Sequence, residues 1–317
     1  MCRGCRTLPS RPNRSAHESG FVSSILPSGR WLNDSALALS IVVNVEEGAE
    51  MNVADGDRTP ESVDELGISL TKPVRNYGNE SNYQYGIKEG FGRISSLLDR
   101  YGFAATWTSA AVALERAPHI AAYLSGRGDE AASHGYRWVH QFRMNEDEER
   151  AFLLAAANSI EASTGTRPVG HLSRYLLTPN TRRLLVELGF RYHMDDYSGD
   201  EPFWETTESG PIVIVPYAVD TNDMKFWNAP GYRPDDWLAY NIDTFDQLLR
   251  EGRDGDHRRM MSTGLHLRIM GRPGRVVALE RFFEHVRTRM DEQNDVWVTT
   301  RRAIAEAFAE SVPPPSN

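Results

Sequence analysis

The chain has 317 residues, of which 40% are hydrophobic and 25% charged, proportions that set intrinsic disorder aside and provide for one large domain or two medium ones with buried cores. Asp and Glu number 44 against 35 Lys and Arg, and the net charge of −9 opposes attraction to phosphate backbones and anionic membranes, so neither nucleic acid nor membrane is an expected partner. The two cysteines, Cys2 and Cys5, exclude a disulfide framework and a four-cysteine zinc site.

Residues 1–30 are rich in Arg, Ser, Pro and Gly without apolar periodicity and read as a flexible tail; residues 31–312 form the expected folded unit, and 313–317 a second short tail. No apolar segment precedes Trp31 to serve as a signal peptide, and none approaches the ~20 residues of a membrane-spanning helix, so a cytoplasmic location is the simplest expectation. Strand-like runs follow at Leu39–Val45, Phe103–Thr108, Glu130–Ser133, Pro168–Gly170, Phe190–Met194, Ile212–Pro216, Met260–Leu265 and Val296–Thr299. Helical stretches fall between them, at Gly86–Tyr101, Ala111–Leu124, Asn145–Ser163, Pro179–Leu188, Tyr240–Arg250 and Gly274–Met290. In the last, Val276, Leu279, Phe283 and Val286 recur on one helical face, and Pro179 suits a first helical turn. Alternation of this kind predicts an α/β protein with a mostly parallel sheet, open or closed into a barrel.

In such folds the residues just after the strands face the binding crevice. The first strand ends in Glu46-Glu47, either a general base held against apolar walls or a pair of solvated loop acids. Neighbouring strand positions point to opposite faces, so both enter one pocket only if the strand has ended. The third run ends in Ser133-His134-Gly135, with His134 a site imidazole or a structural core histidine. A zinc pair on one helical face would need a second nitrogen ligand at position 138, where Trp138 stands; His140, six residues on, would not share that face, and a two-His-plus-carboxylate site could be completed only by distant residues such as His171, His193 or His266. The seventh run ends at His266, followed by Arg268 and the glycine-rich Gly271–Arg275 turn, which is either an anion cradle or a solvated turn. Asp220-Thr221-Asn222-Asp223 forms another candidate site edge. No dinucleotide fingerprint, phosphate loop or serine-hydrolase elbow is present.

Taken in order, Asn44–Glu50, Glu80-Ser81 with Tyr85-Gly86, and Ala132–Trp138 resemble the polysaccharide deacetylase (NodB-homology) superfamily. The later Thr178–Leu184, Asp220–Met224, Gly264–Arg268 and Gly271–Arg275 resemble its metal-independent allantoinase and cyclic-amide hydrolase branch. The likeness runs from about Trp31 to Arg302 and implies a distorted (β/α) barrel with its site at the C-terminal mouth. Metal-dependent members carry paired aspartates, a His-x-x-x-His pair and a late Leu-His acid; here Glu46-Glu47, His134 with Trp138, and His266 occupy those places. An indole nitrogen is donor-only and cannot ligate, which argues against zinc. The branch tends to have an aromatic residue where His171 stands, and the loop before Pro179 differs in length by a residue.

The resemblance implies hydrolysis of a non-peptide C–N bond in a small cyclic amide, imide or ureide. Catalysis is expected from Glu46, Glu47, His134 and His266, substrate binding from Trp138, His171, Arg174, Asn222 and Arg268, and no cofactor, with zinc the alternative. A deacetylase of N-acetylated sugars or metabolites and a catalytically silent binding barrel are the other readings. Homo-oligomerisation is carried over from the resembled branch as an expectation.

Overall fold

The computed structural model describes residues 29–227, 233–255 and 257–315; Cys2 and Cys5 lie outside them, as does nearly all of the expected N-terminal tail. The described strands are β1 (Leu37–Val45), β2 (Ala105–Ser109), β3 (Glu130–Ser133), β4 (Gly170–His171), β5 (Tyr192–His193), β6 (Phe203–Thr207), β7 (Gly210–Ile214), β8 (Arg259–His266) and β9 (Val296–Val298). They form one curled sheet in the order β6-β7-β5-β4-β3-β2-β1-β8, with β9 also on β1. All neighbours pair in parallel except β6 with β7. The segment after β7 meets β8 through a parallel bridge, Asn222 to Gly264. The architecture is an α/β half-barrel of the distorted (β/α) type.

β1 is buried at every position, as expected for a central parallel strand covered on both faces. It pairs with β8 from Leu37 to Asn44 and with β2 from Ile41 to Val45, so Asn44, His266 and Ser109 reach the same end of the sheet. Helices enclose the sheet, and the apolar face of Pro273–Gln293 buries Leu279, Phe283 and Val286.

Several elements depart from the expected bounds. Residues 111–124 are not one helix: Pro118 lacks an N–H and restricts Ala117, so Ala111–Arg116 and Pro118–Arg127 are separate. Helix Thr181–Glu187 starts after Pro179, with Asn180 as its cap. Helix Pro234–Asp254 is longer than the periodic core of its sequence because Pro234 opens it at a position tolerant of proline. β6 is half-buried and its mixed sequence lacks alternation, whereas Arg301–Ser311 was obscured by its basic start despite the Thr300 cap.

The helical segment that positions the site runs from Tyr77 to Tyr101, interrupted by a π-helical turn at Gly86–Gly90. Such turns are rare and often lie at functional sites. Here the glycines permit close approach: a Cβ on Gly86 would stand 2.5 Å from Glu47 Oε1, and one on Gly90 2.0 Å from the Leu267 carbonyl. Gly92, two residues further on, meets nothing within 4 Å. Gly86→Ala is therefore expected to destabilise the fold by about 1–3 kcal/mol despite the better helix propensity of alanine. Gly92→Ala should stabilise it by roughly 0.5–1 kcal/mol, and urea denaturation of the pair checks the opposite signs.

Candidate active site

Because β1 ends at Val45, Glu46 and Glu47 leave the strand in a turn completed by Gly48 at φ +90°, and both carboxylates are buried. They do different things. Glu47 Oε2 accepts the Glu46 N–H at 3.1 Å and Oε1 accepts the Arg268 N–H at 3.0 Å, so it stitches the end of β1 to the turn after β8. Glu46 lines a small cleft together with Asn44, His134, Trp138, Ser173, Arg174, Tyr217, Asn222 and His266.

Glu46 Oε1 lies 3.3 Å from His266 Nε2, and Oε2 accepts from Arg268 Nη1 at 2.8 Å. Burial by itself raises this carboxyl, but the cationic His266 and Arg268 outweigh it and hold Glu46 well below the usual carboxylate range. His266 is gripped from behind by Asp223, whose Oδ1 is 2.6 Å from Nδ1 and whose Oδ2 accepts the His266 N–H at 2.8 Å. Burial opposes its charge, yet Glu46 and Asp223 overcome that and push the imidazole up to about 10. Asp223–His266–Glu46 is thus a buried carboxylate–imidazolium–carboxylate row. Glu47, by contrast, is raised, first by burial and then by the neighbouring Glu46 charge, with Arg268 opposing. Burial likewise brings Glu50, beside the same turn, to about 7.

His134 has both nitrogens committed. Nδ1 donates to the Leu172 carbonyl at 2.7 Å, leaving on Nε2 the lone pair that receives the Trp138 indole N–H at 3.1 Å. In that tautomer the 3.4 Å approach of Nε2 to Glu46 Oε1 is a contact between two acceptors and not a donated hydrogen bond.

The arginines expected to orient substrate are engaged elsewhere. Arg268 is fully buried, bonded to Glu46 and to Glu65 at 3.0 Å, and lies over the Tyr83 ring at 4.1 Å; it shapes the base and does not line the cleft. Arg174 does line it, but its guanidinium is bidentate to Glu61 at 2.5 and 2.9 Å and bonds the Trp138 carbonyl at 2.7 Å. The Trp138 ring is 3.7 Å from the Arg174 guanidinium and 5.6 Å from that of Arg268. His171, expected at the mouth, is instead fully buried behind it, bonded to Ser133 and Ser173 hydroxyls and stacked 5.9 Å from His193, because β4 turns its side chain inward. Burial and the nearby histidines hold it neutral, well below the usual imidazole range. In the Gly271–Arg275 turn, Arg272 lies on Tyr85 at 3.6 Å and Arg275 on Trp227 at 4.5 Å, so neither forms an open anion cradle.

Asn222 lines the cleft. Asp223 stood in a flagged segment without a role, and Tyr217 follows an apolar run that could have marked it. Glu61 and Glu65 come from an aperiodic loop with no sequence signal. The chemistry of these donors does not fit a metal: the indole N–H takes the lone pair with which His134 would ligate. Among the described residues no group of three His, Cys, Asp or Glu side chains is arranged to hold an ion.

A carboxylate held ionised beside an imidazolium, at the C-terminal mouth of a parallel half-barrel, is equipment for general acid–base hydrolysis. The polysaccharide deacetylase family model matches residues 81–193. A putative polysaccharide deacetylase of Schizosaccharomyces pombe is 33% identical over 93% of this chain and 97% of its own length. The crystal structure of a probable polysaccharide deacetylase from Pseudomonas aeruginosa PAO1 superposes with TM-score 0.84 at 36% identity, covering 91% of this chain and 96% of that one. That of PuuE allantoinase gives 0.86 at 35% identity, covering 96% and 100%. The chain belongs to the polysaccharide deacetylase family, within its allantoinase-like branch. Among the described residues no helix is long and apolar enough to cross a membrane.

The raised His266 carries a linkage of definite sign. Its contribution to stability is fully present below its unfolded value of ~6.5 and is lost as pH rises through about 10. Asp223→Asn should lower the His266 titration midpoint in histidine NMR spectra. Its destabilisation relative to wild type should be greatest below pH ~6.5 and shrink toward 10 in urea titrations.

Proposed function

We propose that the chain opens a small cyclic amide, imide or ureide by metal-free hydrolysis, with allantoin-like rings as the substrate class. The observation that carries this is the Trp138 N–H on His134 Nε2, which removes a ligand from the position where zinc would otherwise polarise the carbonyl. Without a Lewis acid the oxyanion relies on hydrogen-bond donors, which suits an activated imide or ureide better than a simple acetamide.

Glu46 takes a proton from water as the water oxygen bonds to the carbonyl carbon, whose π electrons move to oxygen. Collapse of the tetrahedral intermediate breaks the C–N bond, and His266 Nε2–H protonates the departing nitrogen. A proton then returns from Glu46 to His266 across the 3.3 Å that separates them, restoring both groups. Asp223 keeps His266 charged and oriented, Arg268 and Glu47 fix Glu46, and Trp138 and Arg174 form walls. Removal of an N-acetyl group from a sugar is the second reading, favoured by the polysaccharide deacetylase relatives and by the exposed Tyr175, Leu176 and Tyr197.

A panel of allantoin, hydantoins, succinimides and acetylated amino sugars, assayed with and without chelator, separates these readings. Ring opening insensitive to chelator is expected; chelator-sensitive deacetylation with bound stoichiometric zinc would overturn the proposal. Glu46→Gln should lower kcat by roughly 10²–10⁴-fold on the active substrate. The wild-type profile should lose activity as pH rises through about 10, where His266 gives up its proton, and on the acid side only well below the usual carboxylate range.

A further inference from the structure

Tyr217 follows β7 and is a buried residue that lines the cleft. Two asparagines point their amide nitrogens at its oxygen: Asn44 Nδ2 at 3.3 Å and Asn222 Nδ2 at 3.1 Å. Backbone groups settle which end of each amide faces the phenol. The Asn222 Oδ1 accepts the Met224 N–H at 2.9 Å, and the Asn44 Nδ2 also donates to the Leu265 carbonyl at 3.2 Å. Asn44 Oδ1 is further held by the Thr108 hydroxyl at 2.6 Å. Both lone-pair directions of the Tyr217 Oη are therefore taken by N–H donors, and its remaining capacity is to donate its own proton. Among the described residues no protein acceptor stands within hydrogen-bond distance to receive it.

The surroundings hold that oxygen in place. A Cβ on Gly264 of β8 would stand 2.2 Å from Oη, so the glycine makes its seat. Arg301, buried at the start of the C-terminal helix, bonds the Val215 and Pro216 carbonyls and the Ser262 hydroxyl, fixing the chain that leads into Tyr217. Tyr217 lines the same cleft as Glu46 and His266, and an O–H held by Asn44 and Asn222 without a protein acceptor of its own is a donor of the kind an oxyanion-forming reaction without a metal requires.

We propose that the Tyr217 hydroxyl donates to the substrate carbonyl oxygen and stabilises the oxyanion as water adds, with Asn44 and Asn222 as the positioning residues that orient it. This rests on the hydrolase reading but not on the ring being cyclic, since any attacked carbonyl develops the same charge.

Tyr217→Phe, which keeps the ring and removes the donor, should lower kcat by about 10²–10³-fold with KM nearly unchanged, on whichever panel member the wild type hydrolyses. Gly264→Ala, which displaces Oη, should produce the same split, whereas 3-fluorotyrosine at position 217, a more acidic donor, should retain kcat. An unchanged kcat in Tyr217→Phe with normal folding overturns the proposal. If acetylated sugars and not rings are hydrolysed, the cyclic-substrate reading fails while the Tyr217 loss is still expected. A readout independent of turnover is the infrared carbonyl stretch of ¹³C-labelled hydantoin bound to Glu46→Gln. That stretch should move to higher frequency on adding Tyr217→Phe. Identical frequencies, or the lack of any band displaced on binding, overturn the proposal.

Discussion

The buried guanidinium of Arg268 is the interaction on which the site depends. Three acids converge on it: Glu46 at 2.8 Å, Glu65 at 3.0 Å and Glu47 at 3.6 Å, in a region from which water is largely excluded. Buried carboxylates without a cation would protonate or swell the structure open. With Arg268 present the charge divides unevenly, so that Glu46 is kept anionic while Glu47 is raised. The fold is arranged to deliver this cation: β8 runs beside β1, the chain turns at Leu267–Met270, and the π-helical turn at Gly86–Gly90 closes over it.

Around that cation the site is layered. Trp138 lies against the Arg174 guanidinium and near that of Arg268, and its N–H fixes the tautomer of His134. A residue that looks from the sequence like the loss of a metal ligand is, in three dimensions, a wall and a hydrogen-bond donor. On the opposite side Asp223 charges His266, so that the acid and the base face each other across a single 3.3 Å gap. Pairing the two groups stabilises the charged form of each and leaves a proton on the imidazole for the leaving nitrogen.

The strand-end acids and histidines were legible because parallel strands deliver the residues that follow them to one rim, and apolar runs mark where strands stop. Glu46, His134 and His266 share that rim for this reason. The same reasoning misplaced His171, since a two-residue strand gives no alternation from which to tell its inner from its outer face. It also assigned Arg174 and Arg268 to substrate, because their acid partners Glu61 and Glu65 lie more than a hundred residues away on a loop without periodicity.

What the sequence by itself determined is the α/β alternation, the polysaccharide deacetylase ancestry and the absence of a second imidazole at position 138. These are properties of local pattern and of residue chemistry, and they survive without coordinates. Only the tertiary structure decided which of Glu46 and Glu47 meets the cleft, that Asp223 backs His266, and that Asn44 and Asn222 converge on Tyr217. Each of those depends on pairing between segments far apart in the chain, where distances of a few ångströms set charge, tautomer and donor direction, and no local spacing encodes them.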